Sequence, residues 1–126
     1  MVGLGSSEDA LPSSLSGGMR KRVGLARAIA PDPHYILFDE PTTGLDLETA
    51  DEINLLLNDL RAKLGVTSIV VTHDIHSAFL VGDRFAILDG GKIIMTGTRD
   101  EIERSKNEDV QKYISSSLSL SRTDQR

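Results

Sequence analysis

The sequence predicts an α/β fold in which parallel core strands with flanking helices are followed by a C-terminal antiparallel hairpin. Two short apolar runs, each closed by polar residues, lie on either side of the clearest helical pattern and predict strands of a parallel sheet. A glycine pair between two later apolar segments predicts the hairpin. With 126 residues and 39% hydrophobic content, the chain has the length and composition of one folded domain.

Capping residues and chain breakers delimit the first helix and the first strand. Ser16 is a suitable N-cap, and apolar residues recur at helical spacing until Pro31 ends the pattern. Residues 35–38 then form a continuous apolar run, which predicts a strand buried on both faces of the sheet. The apolar face of the predicted helix consists of Met19, Val23, Ala26 and Ala30.

The middle of the chain predicts a β-helix-β unit. Leu47–Leu64 carries an apolar stripe at helical spacing, and Gly65 follows where a helix commonly ends in a left-handed residue. Residues 68–71 are the second candidate for a strand buried on both faces. A right-handed crossover should bring the carboxyl ends of both strands to one edge of the sheet.

The last third of the chain predicts a short helix, the hairpin and two further helices. Thr98 begins the T-x-x-E pattern of a capping box, and Asn107 is a suitable cap for the last helix. The predicted segments are a helix at Ile75–Val81, strands at 84–88 and 92–96, a helix after Thr98 and a helix at 108–116. The domain prediction is a leading loop over 1–14, a folded unit over 15–114 and a flexible tail over 115–126.

Composition excludes several classes of protein. The chain has no cysteine, which excludes disulfide frameworks, thiolate metal sites and cysteine nucleophiles. A net charge of -5 does not favour nucleic acid as a partner. No apolar run approaches the ~20 residues that span a bilayer. The sequence also shows no leader of charged residues followed by apolar ones, the pattern that would indicate secretion. We therefore expect a cytoplasmic protein.

Acidic residues follow the first predicted strand. Asp39 and Glu40 come directly after it, and a carboxylate at the end of a parallel strand faces the crevice where α/β proteins bind ligands. Asp39 can hold Mg²⁺ because this ion prefers hard oxygen ligands, and Glu40 can polarise an attacking water. For this segment alone, a strand that simply ends in an acidic turn is an equally good interpretation.

The start of the first predicted helix is a candidate anion site. Ser16, Gly17, Gly18 and Met19 open this helix, and backbone amides at a helix N-terminus bind phosphate. Two glycines allow close approach of the anion to the backbone. An N-cap with a flexible entry is the commoner explanation for such a segment alone.

Two further features complete the candidate site. His73 follows the second predicted strand at the same sheet edge as the two carboxylates, so it can face the same ligand. Residues 44–46 form a turn in which Asp46 is a possible N-cap of the next helix. The other histidines, His34 and His76, lack such a placement and are interpreted as solvated.

In this order and spacing, the elements resemble the ATP-binding subunit of ABC transporters over residues 12–114. Residues 15–19 resemble the signature motif, residues 35–40 resemble Walker B with its catalytic glutamate, residues 44–46 resemble the D-loop, and His73 resembles the switch histidine. The implied fold is part of a P-loop NTPase. Met19 followed by three basic residues is most similar to the phospholipid-trafficking (Mla-type) ATPases, which implies a lipid-related substrate.

The resemblance implies ATP and Mg²⁺ as cofactors and ATP hydrolysis coupled to transport. Asp39 would organise Mg²⁺, Glu40 would polarise water and His73 would contact the γ-phosphate. Implied partners are a second ATPase subunit in a head-to-tail homodimer and transmembrane permease subunits at the inner face of the membrane. The residues implied to clamp the second subunit's ATP are Ser16, Gly17, Gly18 and Met19, with Asp46 coupling the two sites.

One element of this family has no counterpart in the sequence. The phosphate-binding loop G-x-x-x-x-G-K-[ST] is absent, and Gly91-Lys92 lies inside the predicted hairpin. We therefore expect the chain to correspond to the C-terminal half of such a subunit, to bind ATP poorly and to be inactive alone. Strands without sheet neighbours should make it self-associate or exchange domains. Two alternatives remain open: a soluble ATPase of this superfamily in DNA repair or translation, and a non-catalytic interaction module.

Overall fold

Two parallel strands, β1 (Tyr35–Asp39) and β2 (Thr67–Val71), form the sheet of the N-terminal unit, Met1–His73. The structure is a computed structural model that describes residues 1–5 and 7–120. Asp39 lies opposite Val71 in the register, so both strands end at the same edge of the sheet. The predicted parallel pair is therefore confirmed.

Two helices of this unit, α1 (Gly17–Ile29) and α2 (Leu47–Leu64), contact each other and begin at side-chain caps. The Ser16 hydroxyl accepts a hydrogen bond from the Met19 amide at 3.1 Å. Helix α2 ends at Gly65 with φ 64°, in the left-handed conformation that glycine adopts without strain. A single 3₁₀ turn at Pro12–Ser14 precedes α1, where the sequence predicted only a loop.

The sequence predicted the buried face of α2 correctly, but not that of α1. On α2 the predicted stripe is confirmed, since Ile53, Leu57 and Leu60 are buried. On α1 the predicted face is wrong, because the buried residues are Gly18 and Leu25. Each lies one position before a residue of the predicted face, which corresponds to a rotation of about 100° around the helix. The reason is that the close contact at Gly18 determines which side of α1 packs against α2. The predicted face instead borders the N-terminal loop, with Val23, Ala26 and Ala30 lining a shallow cavity beside it.

One face of the β1–β2 sheet is exposed. Ile36 on the opposite face is only 5% exposed. The prediction of strands buried on both faces is therefore wrong for the described part of the chain, which leaves one face of each strand open. The apolar side chains on the open face are Tyr35, Leu37, Ile69 and Val71, each more than half exposed.

The C-terminal unit, Asp74–Arg126, contains the predicted hairpin and three helices in its described part, residues 74–120. Gly90 and Gly91 form its turn with φ 53° and 75°, the positive values predicted for them. A β-bulge lies between Ile87 and Leu88. The elements in chain order are α3 (Ile75–Val81), β3 (Phe85–Asp89), β4 (Lys92–Gly97), α4 (Arg99–Glu103) and α5 (Glu108–Leu120).

Side-chain caps and a small apolar core stabilise this unit. Thr98 and Glu101 form the predicted capping box, and Asn107 Oδ1 accepts from the Asp109 amide at 2.9 Å. Helix α5 continues to Leu120, beyond the predicted end at residue 116. Residues 121–126 of the predicted tail lie outside the described residues, and the predicted domain limits stay a prediction. The buried core residues are Ile102, Val110 and Ile114, with Phe79 and Phe85 packed against them.

Within the described residues, every helix is too short or too polar to cross a membrane.

The open sheet face predicts self-association of the chain. Leu37 and Ile69 are register partners, 76% and 60% exposed, and adjoining apolar surface of this kind drives association. A Leu37→Lys substitution is expected to lower the associated fraction measured by light scattering. The matched control Leu55→Lys, on an equally exposed leucine of α2, is expected to leave it unchanged. A monomeric wild-type chain, or equal effects of both substitutions, would contradict this prediction.

Candidate functional site

The centre of the site is a contact between Glu40 and His73 at the carboxyl ends of the two strands. The Glu40 amide donates to the Val71 carbonyl at 2.8 Å, which extends the strand pairing by one residue. Glu40 Oε1 accepts from the His73 amide at 3.0 Å and lies 2.8 Å from His73 Nδ1. The structure thus brings together two predicted site residues that are 33 positions apart.

Two threonines that the sequence analysis missed hold the second carboxylate oxygen. Glu40 Oε2 accepts from the Thr43 hydroxyl at 2.9 Å and from the Thr72 hydroxyl at 3.3 Å. The available signal was their position, since each lies within three residues of a predicted site residue at the end of a strand. Both oxygens of the carboxylate are therefore oriented by donors.

These hydrogen bonds change the acidity of Glu40. Partial burial of the carboxyl group raises its pKa, but hydrogen bonds from His73 and Thr43 outweigh this effect and leave the pKa below the ordinary glutamate value. Glu40 is therefore ionised at neutral pH, with its charge directed at the sheet edge. In this state it can orient and polarise a water molecule.

Asp39 occupies the last position of β1 and is exposed. Its carboxylate is a hard oxygen ligand, and Mg²⁺ is commonly bound through one or two carboxylates plus waters and substrate phosphates. Among residues 1–5 and 7–120 there is no group of three or more metal-ligating side chains. Asp39 thus fits one ligand of a Mg²⁺ that would take its other ligands from water and phosphate.

The N-terminus of α1 packs tightly against the start of α2. A Cβ added to Gly18 would lie 2.7 Å from Thr49 Cγ2, and one added to Gly17 would lie 3.1 Å from Leu45 Cδ2. The two glycines therefore have a packing function. The amides of Gly17 and Gly18 also belong to the first helical turn, where amides lack intrahelical acceptors and attract anions. Met19, the last residue of the predicted anion site, is half-buried.

Asp46 is the N-cap of α2. Its carboxylate accepts from the Thr49 amide at 3.0 Å and from the Thr49 hydroxyl at 2.8 Å. These hydrogen bonds lower the pKa of Asp46. The structure therefore places Ser16, Gly18 and Asp46 around the α1–α2 contact. His34 and His76 are exposed.

Comparison with known proteins gives consistent matches. A family model described as ABC transporter matches residues 2–43. The methionine import ATP-binding protein MetN 2 of Rhodopseudomonas palustris is 45% identical over 102 residues, which are 81% of this chain and 27% of that protein. The sulfate/thiosulfate import ATP-binding protein CysA 2 of Chromobacterium violaceum is 47% identical over 105 residues, covering 83% and 29%.

A solved structure agrees with these relatives. It is the dimeric post-hydrolysis state of the ATP-binding cassette MJ0796 bound to ADP and Pi, which is 42% identical with a TM-score of 0.60. The match covers 69% of this chain and 37% of that chain. The chain is therefore similar to ATP-binding cassette proteins over part of their length. This similarity confirms the predicted fold class, a partial P-loop NTPase fold.

The chain spans only 27% and 29% of the two import proteins named above. Both of these relatives are import proteins by name, and similarity to phospholipid-trafficking ATPases is not shown by them. The lipid-related substrate expected from the sequence therefore lacks support among these relatives.

The packing of Gly18 predicts a loss of stability on substitution. Gly18→Ala is expected to lower the free energy of unfolding by about 1–3 kcal/mol, because the new Cβ meets Thr49 Cγ2. Gly24→Ala is the matched control, since a Cβ there meets no atom within 4 Å, and it is expected to raise stability by roughly 0.5–1 kcal/mol. Adding Thr49→Ser to Gly18→Ala should restore stability in urea titrations. Equal stability of the two alanine variants would refute the packing role.

The lowered pKa of Glu40 predicts a pH-dependent contribution to stability. A carboxyl group with a lowered pKa in the folded state stabilises above its unfolded pKa, and the contribution is lost as the pH falls through the folded pKa. The stability difference between wild type and Glu40→Gln should therefore be present at about pH 7 and shrink toward about pH 3. Glu8→Gln, which removes an exposed carboxyl group outside the site, is the matched control. A Glu40→Gln difference independent of pH would disprove this linkage.

Proposed function

We propose that this chain is part of an ATP-hydrolysing subunit that drives import across a membrane. The observation that supports this most strongly is the ionised Glu40 carboxylate held against His73 at the end of two parallel strands. The similarity to methionine and sulfate/thiosulfate import ATP-binding proteins supports the same function. It favours a transporter subunit over a soluble repair or translation ATPase and over a non-catalytic module.

In this function Glu40 acts as the group that orients and polarises the attacking water. Its carboxylate cannot easily rotate, because Thr43, Thr72 and His73 all donate to it. His73 is exposed, so its ring can contact a terminal phosphate while Nδ1 stays at Glu40. Phosphoryl transfer depends mainly on such positioning and on charge neutralisation.

In the proposed dimer, each nucleotide would be held by parts of both subunits. Asp39 would hold Mg²⁺, which when bound neutralises phosphate charge. The amides and hydroxyl at the N-terminus of α1 would bind phosphate oxygens of the ATP held by the second subunit, at residues Ser16, Gly17, Gly18 and Met19. Asp46 would transmit changes between two nucleotide sites through its cap on α2.

The proposed assembly is a head-to-tail homodimer that binds transmembrane permease subunits on the cytoplasmic side of the membrane. The dimeric ATP-binding cassette among the structural relatives supports a dimer. The names of the import relatives support a transport complex. We propose a small polar solute as the transported class, because the relatives' names specify methionine and sulfate or thiosulfate.

The proposed function is tested by magnesium-dependent phosphate release from the full-length protein purified with its membrane partners. Glu40→Gln should reduce turnover by about 100-fold or more, because it removes the group that polarises water. Nucleotide binding should remain, so the variant should accumulate ATP-bound dimers. Glu8→Gln is the control and should retain turnover. Rapid hydrolysis by Glu40→Gln would overturn the role of this residue.

A further inference from the structure

We propose that Lys21 is a positioning residue that holds the Glu40 peptide in its left-handed conformation and so directs the carboxylate toward His73. The catalytic part of this inference rests on the function proposed above, whereas its conformational part does not. The Lys21 ammonium donates to the Glu40 carbonyl oxygen at 3.0 Å. Lys21 lies on α1, so this contact joins the helix to the end of β1.

The backbone of Glu40 requires such a restraint. Its φ is 46°, in the left-handed region that residues with a side chain rarely adopt. Backbone strain of this kind persists only where surrounding contacts enforce it, and it concentrates at functional sites. Among the residues that the structure describes, the only other non-glycine residue with positive φ is Asp32, in the loop before β1.

Hydrogen bonds hold the peptide groups on both sides of Glu40. On the amide side, Glu40 donates to the Val71 carbonyl of β2 at 2.8 Å. On the carbonyl side, the Thr43 amide donates at 3.4 Å, near the limit for a hydrogen bond, and Lys21 donates at 3.0 Å. An ionised donor forms the stronger type of hydrogen bond, so Lys21 supplies the main restraint on this side.

The position of Lys21 joins two parts of the proposed site. It lies four residues after Gly17, one helical turn from the N-terminus of α1. The helix that presents the proposed phosphate-binding amides therefore also holds the residue proposed to polarise water. If the restraint is lost, Glu40 can relax to negative φ, which would move its carboxylate away from the His73 amide and Nδ1.

The conformational part is tested by NMR on the isotope-labelled chain. A positive φ brings the amide proton close to its own Hα, so Glu40 should give a strong intraresidue NOE in the wild type. Lys21→Met should weaken this NOE, and Lys21→Arg should preserve it because a charged donor remains. Lys63→Met is the matched control, since Lys63 forms an exposed ion pair with Asp59 on α2. An unchanged Glu40 NOE in Lys21→Met would overturn the proposal.

The catalytic part is tested by steady-state ATP turnover of the full-length protein. Lys21→Met should lower kcat by about 10- to 100-fold, as expected for a displaced catalytic group, with little change in KM for ATP. Lys21→Arg should restore most of kcat. A parallel rise in KM with unchanged kcat would refute positioning and indicate a binding role. Absence of turnover in the wild-type protein would instead overturn the proposed function, and the NOE experiment would still decide the conformational part.

Discussion

The parallel pairing of β1 and β2 is the constraint on which the site depends. The register ends with Asp39 opposite Val71, and the next bond, from the Glu40 amide to the Val71 carbonyl, carries the pairing past the strand. Two segments separated by the whole of α2 thereby end at one edge, where His73 meets Glu40. A slip of one residue in this register would turn every side chain of β2 to the other face. Helix α2 buries one side and ends in the left-handed turn at Gly65, after which the chain enters β2.

The contact between α1 and α2 is the second constraint, and it acts through small residues. Gly18 has space for no side chain because Thr49 lies against it, and Thr49 is itself held by the Asp46 cap. The orientation of α1 follows from this contact, and with it the reach of Lys21 to the Glu40 carbonyl. Packing at one end of α1 therefore influences polar geometry at the end of β1. The same local structure that stabilises the unit also positions the Glu40 carboxylate.

The sequence predicted most elements because their signals are local. The caps at Ser16, Thr98 and Asn107 and the glycine turn at 90–91 each depend on a few neighbouring residues, and the structure has all of them. Three features depend on tertiary contacts and escaped prediction. The buried side of α1 is determined by its contact with α2. The exposure of one sheet face is determined by which elements pack on the sheet. The left-handed φ of Glu40 is held by the Lys21 donor on α1 and the Val71 acceptor on β2. The pattern of apolar residues along the sequence does not predict such contacts. A positive φ is usually indicated by glycine, but residue 40 is a glutamate.

The contribution of several site residues to the stability of the fold is enough to explain their presence. The residues that such a contribution does not explain are the better evidence for function. Ser16 and Asp46 cap helices, and Gly18 permits close packing, so their presence alone does not require a nucleotide. The pair of Glu40 and His73 differs. The His73 side chain is 77% exposed and that of Glu40 is 33% exposed, and ion pairs at such exposure contribute little to stability. The strain in the Glu40 backbone is therefore offset only in part by this pair, and strain of this kind is concentrated at functional sites.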